Sequence, residues 1–315
     1  MIKGGGPYLG IEIGGTKLQV CVGDGAGHIR ERRSFSVDPA AGADGIRSQL
    51  QETIAELSGR IKPRAVGVGF GGPVEWQTGR ICCSHQIAGW SDFPLAAWLS
   101  GLAGAPVRAD NDANTAALGE ALLGVGTGFK IVFYVTLGSG VGGGLVHGGG
   151  IYHGAAPGEA EMGHVRLDKT GVIVEERCSG WAVNKKIRQA VKRHPRGALA
   201  RCVGSSVSHE ARCLGPALKA RDPDARKILK EVADDLAFGL SHVVHLFHPE
   251  IIVLGGGLAL VGEPLRKAVQ AALRKYVMDA FVPGPKVALS RLREDAVPVG
   301  ALCLAARQVA SSSRR

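Results

Sequence analysis

Hydrophobic and polar positions alternate twice at the start of the chain. In "LGIEIGGTKLQVCVGD", Leu9, Ile11 and Ile13 share one face, and after a glycine turn Leu18, Val20 and Val22 repeat the pattern. Period-two alternation broken by glycine predicts strand, tight turn, strand. The period then changes: in "GIRSQLQETIAELSGR", Ile46, Leu50, Ile54 and Leu57 fall on one helical face. "AVGVGFGGPVE" returns to alternation through Val66, Val68 and Phe70, and stops in glycine and proline. The same plan recurs further on. "KIVFYVTLGSGVGGGLVHGGG" reads as strand, glycine turn, strand, and Leu145 and Val146 keep its second arm a strand. "ARKILKEVADDLAFGLSHVVHLF" sets Ile228, Val232, Leu236, Leu240, Val243 and Phe247 at helical spacing before the apolar strand "IIVLGGG".

Two α/β domains of similar plan, facing each other across a cleft, account for this duplication. The boundary is expected near residues 118 to 125, giving domains over 1–120 and 121–315. A final helix over residues 299 to 310 is a candidate to return to the first domain.

Composition narrows the function classes. The 315 residues suffice for two cores, and 45% hydrophobic with 21% charged residues suits a water-soluble globular protein. No apolar run approaches the ~18 residues of a membrane span. "MIKGGGPYLG" lacks a secretory core, so a cytoplasmic location is expected, with no membrane partner. Seven cysteines without C-x-x-C spacing do not form a disulfide framework, and the vicinal Cys82 and Cys83 read as reduced thiols. A formal charge of +10 would suit nucleic acid, but the basic residues are scattered and aromatics make up only 5%. The charge reads instead as a field that attracts anionic small molecules such as nucleotides, with no nucleic-acid partner.

Glycine is the anomaly, at 47 residues, and it clusters at Gly14-Gly15-Thr16-Lys17, Gly138-Ser139-Gly140 and Gly255-Gly256-Gly257. Glycine lets backbone N–H groups approach anionic oxygens, and Thr16 and Ser139 add hydroxyl donors. None of the clusters is a G-x-x-x-x-G-K-[ST] loop, and none opens a dinucleotide-binding helix. One such cluster would read as a plain hairpin turn. Three at corresponding places in a duplicated plan point to phosphate binding.

That arrangement resembles the sugar kinase, actin and Hsp70-like ATPase superfamily, and implies a two-domain actin-like ATPase (ribonuclease H-like) fold. "VRADNDANTAALGEALLGVG", "VTLGSGVGGGLVHGGGIYHGAAPGEAEMGH" and "HPEIIVLGGGL" go further and resemble the ROK family (repressor, open reading frame, kinase). "GVGFGGPVE", "HQIAGWSDFPLAAWL" and "VPVGALCLA" match other stretches of the family, so the likeness spans residues 9 to 305. Family repressors carry a helix-turn-helix domain before the first glycine hairpin. Only eight residues precede Leu9 here, which disfavours a repressor.

The resemblance implies an ATP-dependent hexose kinase, and phosphoryl transfer to a sugar asks for a carboxylate that accepts the hydroxyl proton. The family's catalytic aspartate lies in N-D-A-N, so Asp112 is the expected base and Asn111 a sugar ligand, with Asp110 structural. Without the likeness, "DNDAN" reads as a turn with a helix cap. Glu12 holds the position of the first-strand acid and is expected to orient water on Mg²⁺. Lys17 either steadies phosphate or is a solvated surface lysine. The glycine triplet 255–257 is expected to meet adenosine.

"GAAPGEAEMGH" corresponds to the family's "GAxGxAGExGH", so Glu161 and His164 carry over as sugar ligands despite departures at Pro157, Glu159 and Ala160. Many relatives also bind zinc through this histidine and three cysteines in "CxCGxxGC". Here the segment is "VIVEERCSGW" and keeps only Cys178. Glu175, Glu176 and His153 do not complete four ligands by their spacing, so zinc is expected to be lost, with Cys178 and His164 as remnants. The family's "GCLE" glutamate aligns with Gly180, and losing one charged hydrogen bond costs roughly 1.5–3 kcal/mol, about 10- to 100-fold in affinity. Gln86 stands where relatives commonly have asparagine. Glucose is the first expected substrate, with N-acetylhexosamine or fructose as alternatives. A non-catalytic sugar- or nucleotide-binding regulator is the reading of another class. The resemblance also implies a homodimer.

Overall fold

The computed structural model describes residues 6–84, 86–156, 158, 160–204 and 210–312. In chain order its strands and helices begin with β1 (Tyr8–Ile13), β2 (Lys17–Gly23), β3 (Ile29–Ser36), α1 (Gly42–Ser58) and β4 (Val66–Phe70). The short strands β5 (Val74–Glu75) and β6 (Arg80–Ile81) precede α2 (Leu95–Ala103), β7 (Val107–Asn111) and α3 (Asp112–Leu123). Next come β8 (Ile131–Leu137), β9 (Val141–His147), β10 (Gly150–Ile151), α4 (Val174–Cys178), α5 (Gly180–Arg193), α6 (Ala198–Val203) and α7 (Leu214–Lys219). The long helix α8 (Pro223–Phe247), β11 (Ile251–Gly255), α9 (Glu263–Leu273), β12 (Lys286–Leu289) and α10 (Ala296–Ser312) close the chain.

Two compact units form. One gathers the described residues of Met1–Lys130, Gly144–Ala160 and Arg291–Arg315, and the other those of Ile131–Gly143 and Glu161–Ser290. Segments 121–130 and 144–160, placed by the sequence in the second domain, group with the first by contact, as does 291–315 with the final helix that the sequence marks as a candidate to return there. Their side chains find their burial there: Leu123, Ile151, Cys303 and Leu304 all pack around Leu118.

In the first unit the sheet order is β3-β2-β1-β4-β7. β1 pairs antiparallel with β2 and parallel with β4, and β4 pairs parallel with β7. A strand with parallel or mixed neighbours is covered on both faces and is apolar throughout. β4, "VGVGF", is accordingly buried at every position. Ile46, Leu50, Ile54 and Leu57 of α1 are buried on the side the sequence pattern indicated, in a core with Leu9, Ile11 and Phe70. The helix α10 packs on β1, β4 and α3. Its approach is close enough that a Cβ on Gly67 would lie 1.8 Å from the Ala301 carbonyl oxygen, and one on Gly300 1.8 Å from that of Thr115. No side chain fits at either contact.

The second sheet, β10-β9-β8-β11-β12, repeats the plan of a three-strand meander followed by two parallel strands. β11 pairs parallel with both β8 and β12 and is buried at all five positions. α8 begins on Asp222, whose side chain accepts from the Asp224 and Ala225 N–H groups, with Pro223 in the first turn. Ile228, Val232, Leu236, Leu240 and Val243 are buried as their spacing predicts. Phe247 departs from the pattern and is 39% exposed. It is the last helical residue before His248 turns left-handed at φ 47°, so the apolar face runs out there. Among the described residues, no helix is long and apolar enough to cross a membrane.

Candidate active site

The first glycine cluster closes the β1–β2 hairpin, where the Gly14 N–H donates to the Lys17 carbonyl at 2.9 Å. The register pairs Glu12 with Gln19 across the hairpin, so both side chains leave the sheet on one face. Gln19 Nε2 donates to Glu12 Oε2 at 2.5 Å, and Lys17 Nζ stands 3.4 Å from the same oxygen. Burial pushes the Glu12 carboxyl above its ordinary range, and the Lys17 charge and Gln19 hydrogen bond only partly offset this. Thr16 is exposed at the tip. Gln86 lies over the turn, so that a Cβ on Gly15 would fall 1.6 Å from Gln86 Oε1.

The raised Glu12 carboxyl carries a sign. A folded-state value above the unfolded one gives stability below the unfolded value that is lost as pH rises through the folded one. At neutral pH the buried carboxylate is therefore a cost. Glu12→Gln is expected to raise Tm at pH 7–8, with a gain that shrinks as pH falls toward the usual glutamate range of about 4.3. Thermal melts of both proteins across pH check this, and a difference that stays flat with pH would refute it.

β7 delivers "DND" to the start of α3. Asn111 is 8% exposed and caps the helix: its Oδ1 accepts from Ala113 N at 2.8 Å and Asn114 N at 3.2 Å. Its amide donates to the Gly72 carbonyl at 3.2 Å. A side-chain amide has two N–H donors, so that bond leaves one over. Asp112 follows in the first turn, with Oδ1 accepting from Ala113 N at 2.7 Å. Its Oδ2 lies 3.5 Å from the place a Cβ on Gly71 would take, a place equally close to the Gly14 Cα. Asp112, Gly71 and the first glycine turn therefore meet in one unit.

Asp110 faces away from that meeting point. Oδ1 accepts from Asn111 N at 2.9 Å and Asn114 Nδ2 at 3.1 Å, while Oδ2 pairs with His153 Nε2 at 2.7 Å. The His153 ring stacks on Trp76 with centroids 4.2 Å apart. Sequence reading had assigned Asp110 a structural place but did not find its partner, because 43 residues separate the two.

In the second unit, the Gly138 N–H donates to Gly140 O at 3.0 Å and closes the β8–β9 hairpin. Glu175 Oε2 accepts from Val141 N at 2.8 Å, so this acid braces the hairpin. The Gly180 N–H donates to Gly138 O at 2.8 Å, and a Cβ on Gly180 would lie 2.7 Å from that oxygen. Gly180, which the resemblance aligns with a family glutamate, is thus pressed against the hairpin. Gly163 is held equally tightly, its missing Cβ 2.2 Å from Val141 O. That contact brings the exposed Glu161 and His164 to the same turn. Pro157 and Glu159 lie outside the described residues.

The third cluster comes to this turn as well. Gly255 is buried at the end of β11, with Tyr134 Oη 2.0 Å from its missing Cβ. Gly256 takes φ +78° with its missing Cβ 2.6 Å from the Leu137 backbone, which requires glycine twice over. Gly257 is exposed, with nothing within 4 Å of a Cβ. Gly138, Ser139 and Gly140 are half-buried. The second unit thus brings both glycine clusters, Glu161 and His164 together.

Cys178 is fully buried, with its Sγ 3.6 Å from the Val232 carbonyl. Burial pushes its thiol far above the ordinary range, which disfavours the thiolate a metal needs. Among the described residues, no group of three or more histidine, cysteine, aspartate or glutamate side chains is placed to hold a metal ion.

Comparison with known proteins follows the same outline. The sequence model of the ROK family matches residues 8–308. A glucokinase from Thermotoga maritima is 30% identical over 301 residues, which cover 93% of this chain and 95% of that protein. Among solved structures, a ROK family glucokinase from Streptomyces griseus in complex with glucose and AMPPNP is 31% identical. It superposes with a TM-score of 0.85, over 96% of this chain and 100% of that one. The ROK hexokinase from Thermus thermophilus is 29% identical, with a TM-score of 0.75 over 97% of this chain and 99% of that one. The fold is thus the actin-like, ribonuclease H-like α/β arrangement of these kinases.

Proposed function

The chain belongs to the ROK family, and on that premise we propose that it is an ATP-dependent sugar kinase whose base is Asp112 and whose first substrate is glucose. A hexokinase-type phosphotransferase agrees with the glucokinase relatives and with the ROK kinase structures. The observation that carries the assignment of the base is the position of Asp112. It opens α3 with one carboxylate oxygen on a backbone N–H and the other toward Gly71 and the first glycine turn.

In this reading Asp112 takes the proton from the primary hydroxyl of the hexose as that oxygen attacks the γ-phosphoryl group of ATP. In the first unit Asn111 is a sugar ligand, with Gln86 beside the first turn; in the second, Glu161 and His164 are sugar ligands. Asn111 offers its remaining N–H while its cap fixes α3 and hence Asp112. The backbone N–H groups of Gly15 and Gly140, with the Thr16 and Ser139 hydroxyls and Lys17, receive the phosphates, while the Gly14 and Gly138 N–H groups close the two hairpins that present them. Gly255, Gly256 and Gly257 form the adenosine end, with Gly257 the open contact. The donor set suits Mg²⁺ carried in by ATP, since Glu12 is one carboxylate at the phosphate turn and Mg²⁺ keeps most of its waters. When bound, the ion would neutralise phosphate charge. Glu12 would then hold one of its waters.

Zinc has no part in this reading, and Cys178 with His164 are the remnants of a site. A homodimer and a cytoplasmic setting complete the proposal as properties implied by the family. Glucose is the least constrained part, because Gly180 replaces a charged ligand of relatives.

The test is ADP release from Mg·ATP over glucose, mannose, fructose, allose, N-acetylglucosamine and N-acetylmannosamine. Glucose is expected to give the highest kcat/KM. Glu161→Gln and His164→Asn should each raise the sugar KM about 10- to 100-fold. ATP binding without turnover on any of these sugars would replace the kinase by a nucleotide-binding regulator.

A further inference from the structure

Beside Asp110, in the first unit, lies a cavity of about 220 Å³ lined in part by Trp76, Arg108, Asp110, His153, Leu304 and Arg307. One water occupies about 30 Å³, so the space holds more than a single solvent molecule. Arg108 enters from β7 and Arg307 from α10. The Arg108 guanidinium sits over the Trp76 ring, its Cζ 5.7 Å from the centroid, and its Nε is buried with no hydrogen-bond partner among the described residues. The Nη2 of Arg307 packs beside Gly149, 3.4 Å from the place of a Cβ there. Burial, together with the neighbouring Arg108 charge, holds Arg307 below the ordinary guanidinium range.

Neither arginine forms an ion pair with an acid among the described residues, although Arg32, Arg60 and Arg80 elsewhere on the chain do. Among the described residues the one carboxylate in the cavity wall is Asp110, whose oxygens accept from Asn111 N and Asn114 Nδ2 and pair with His153 Nε2. Two half-buried guanidiniums with an unmet donor thus face one space whose one acid among the described residues is already engaged. A planar guanidinium presents paired N–H donors matched to the oxygens of phosphate, and it is costly to bury without such a partner.

The geometry points to an anion-binding site for a phosphate group, free or carried on a small sugar, held by Arg108 and Arg307 against the Trp76 and His153 rings. It is separate from the glycine turns and uses none of the residues assigned to catalysis. The site adjoins the catalytic element directly, since Asp110 forms its wall and precedes Asn111 and Asp112.

The experiment follows tryptophan emission of the full chain during titration with inorganic phosphate and with hexose 6-phosphate. Ionic strength is held constant with sodium chloride. Trp90, Trp98 and Trp181 supply a background, and Trp76→Phe identifies the part of the signal that comes from the cavity. Saturable change is expected in the parent chain. Arg108→Gln and Arg307→Gln should each weaken it about tenfold or more, and the double variant should show none. Tighter binding of hexose 6-phosphate would identify a sugar phosphate as the occupant, and equal binding would identify phosphate itself; either supports the site.

In phosphate-free buffer the double variant should melt no lower than the parent chain, because removing two like charges relieves their repulsion. No saturable response to either anion, or the same response in the double variant, would overturn the assignment. So would a lower Tm in phosphate-free buffer, which would make the two guanidiniums structural. The readout is binding alone, so it stands or falls independently of kinase turnover.

Discussion

Asp112→Asn is expected to lower kcat by roughly 10²- to 10⁴-fold, the usual contribution of a positioned general base. The sugar KM should change far less, because the asparagine amide keeps the size and hydrogen-bonding reach of the carboxylate. Stability should hardly move. The helix cap belongs to Asn111, whose Oδ1 accepts from two backbone N–H groups, and an asparagine at 112 still accepts from Ala113 N. The charge lost from the first turn of α3 is worth roughly 0.3–1 kcal/mol. Steady-state kinetics and a thermal melt on one preparation check both halves. A kcat within tenfold of the parent chain would move the base elsewhere, and a large fall in Tm would make Asp112 a structural residue.

Gly300→Val is expected to destabilise the first unit by about 3 kcal/mol, at the upper end of the cost of overpacking. The new Cβ would stand 1.8 Å from the Thr115 carbonyl oxygen, a backbone atom that moves only if α3 or α10 moves. Tm of the transition that unfolds this unit should fall by roughly 6–12 °C. The sugar KM should rise as well, since α3 carries Asn111 and Asp112 at its start. Gly101→Ala is the control: Gly101 lies in α2 with nothing within 4 Å of a Cβ. Relief from a helical glycine should stabilise there by up to about 1 kcal/mol. If both substitutions shifted Tm alike, close packing of α10 on α3 would not be what holds the unit together.

Elements whose burial is set by local periodicity were legible in the chain. β1, β2, α1, β4, β8, β9, α8 and β11 stand where alternation or helical spacing indicates, because a buried face must repeat with the period of its own backbone. The three glycine clusters and the D-N-D junction were equally visible, since each is contiguous. Partnerships made across long stretches of chain were not. Asp110 with His153, Glu175 with the β8–β9 hairpin, Gln86 over Gly15 and the Arg108–Arg307 cavity join residues that no sequence period links. Nor does the chain order disclose that 144–160 packs with the first unit.

By itself, then, the sequence determined the duplicated strand–glycine–strand plan, the alternation of strands and helices, and which residues are candidates for phosphoryl chemistry. Tertiary structure decided which face each of those residues turns toward. It paired Asp110 with His153 and pressed Gly180 onto Gly138. The physical reason is the range of the forces involved. Secondary structure follows from hydrogen bonds and burial patterns repeated every few residues, whereas orientation follows from close packing between surfaces that the chain brings together only when folded.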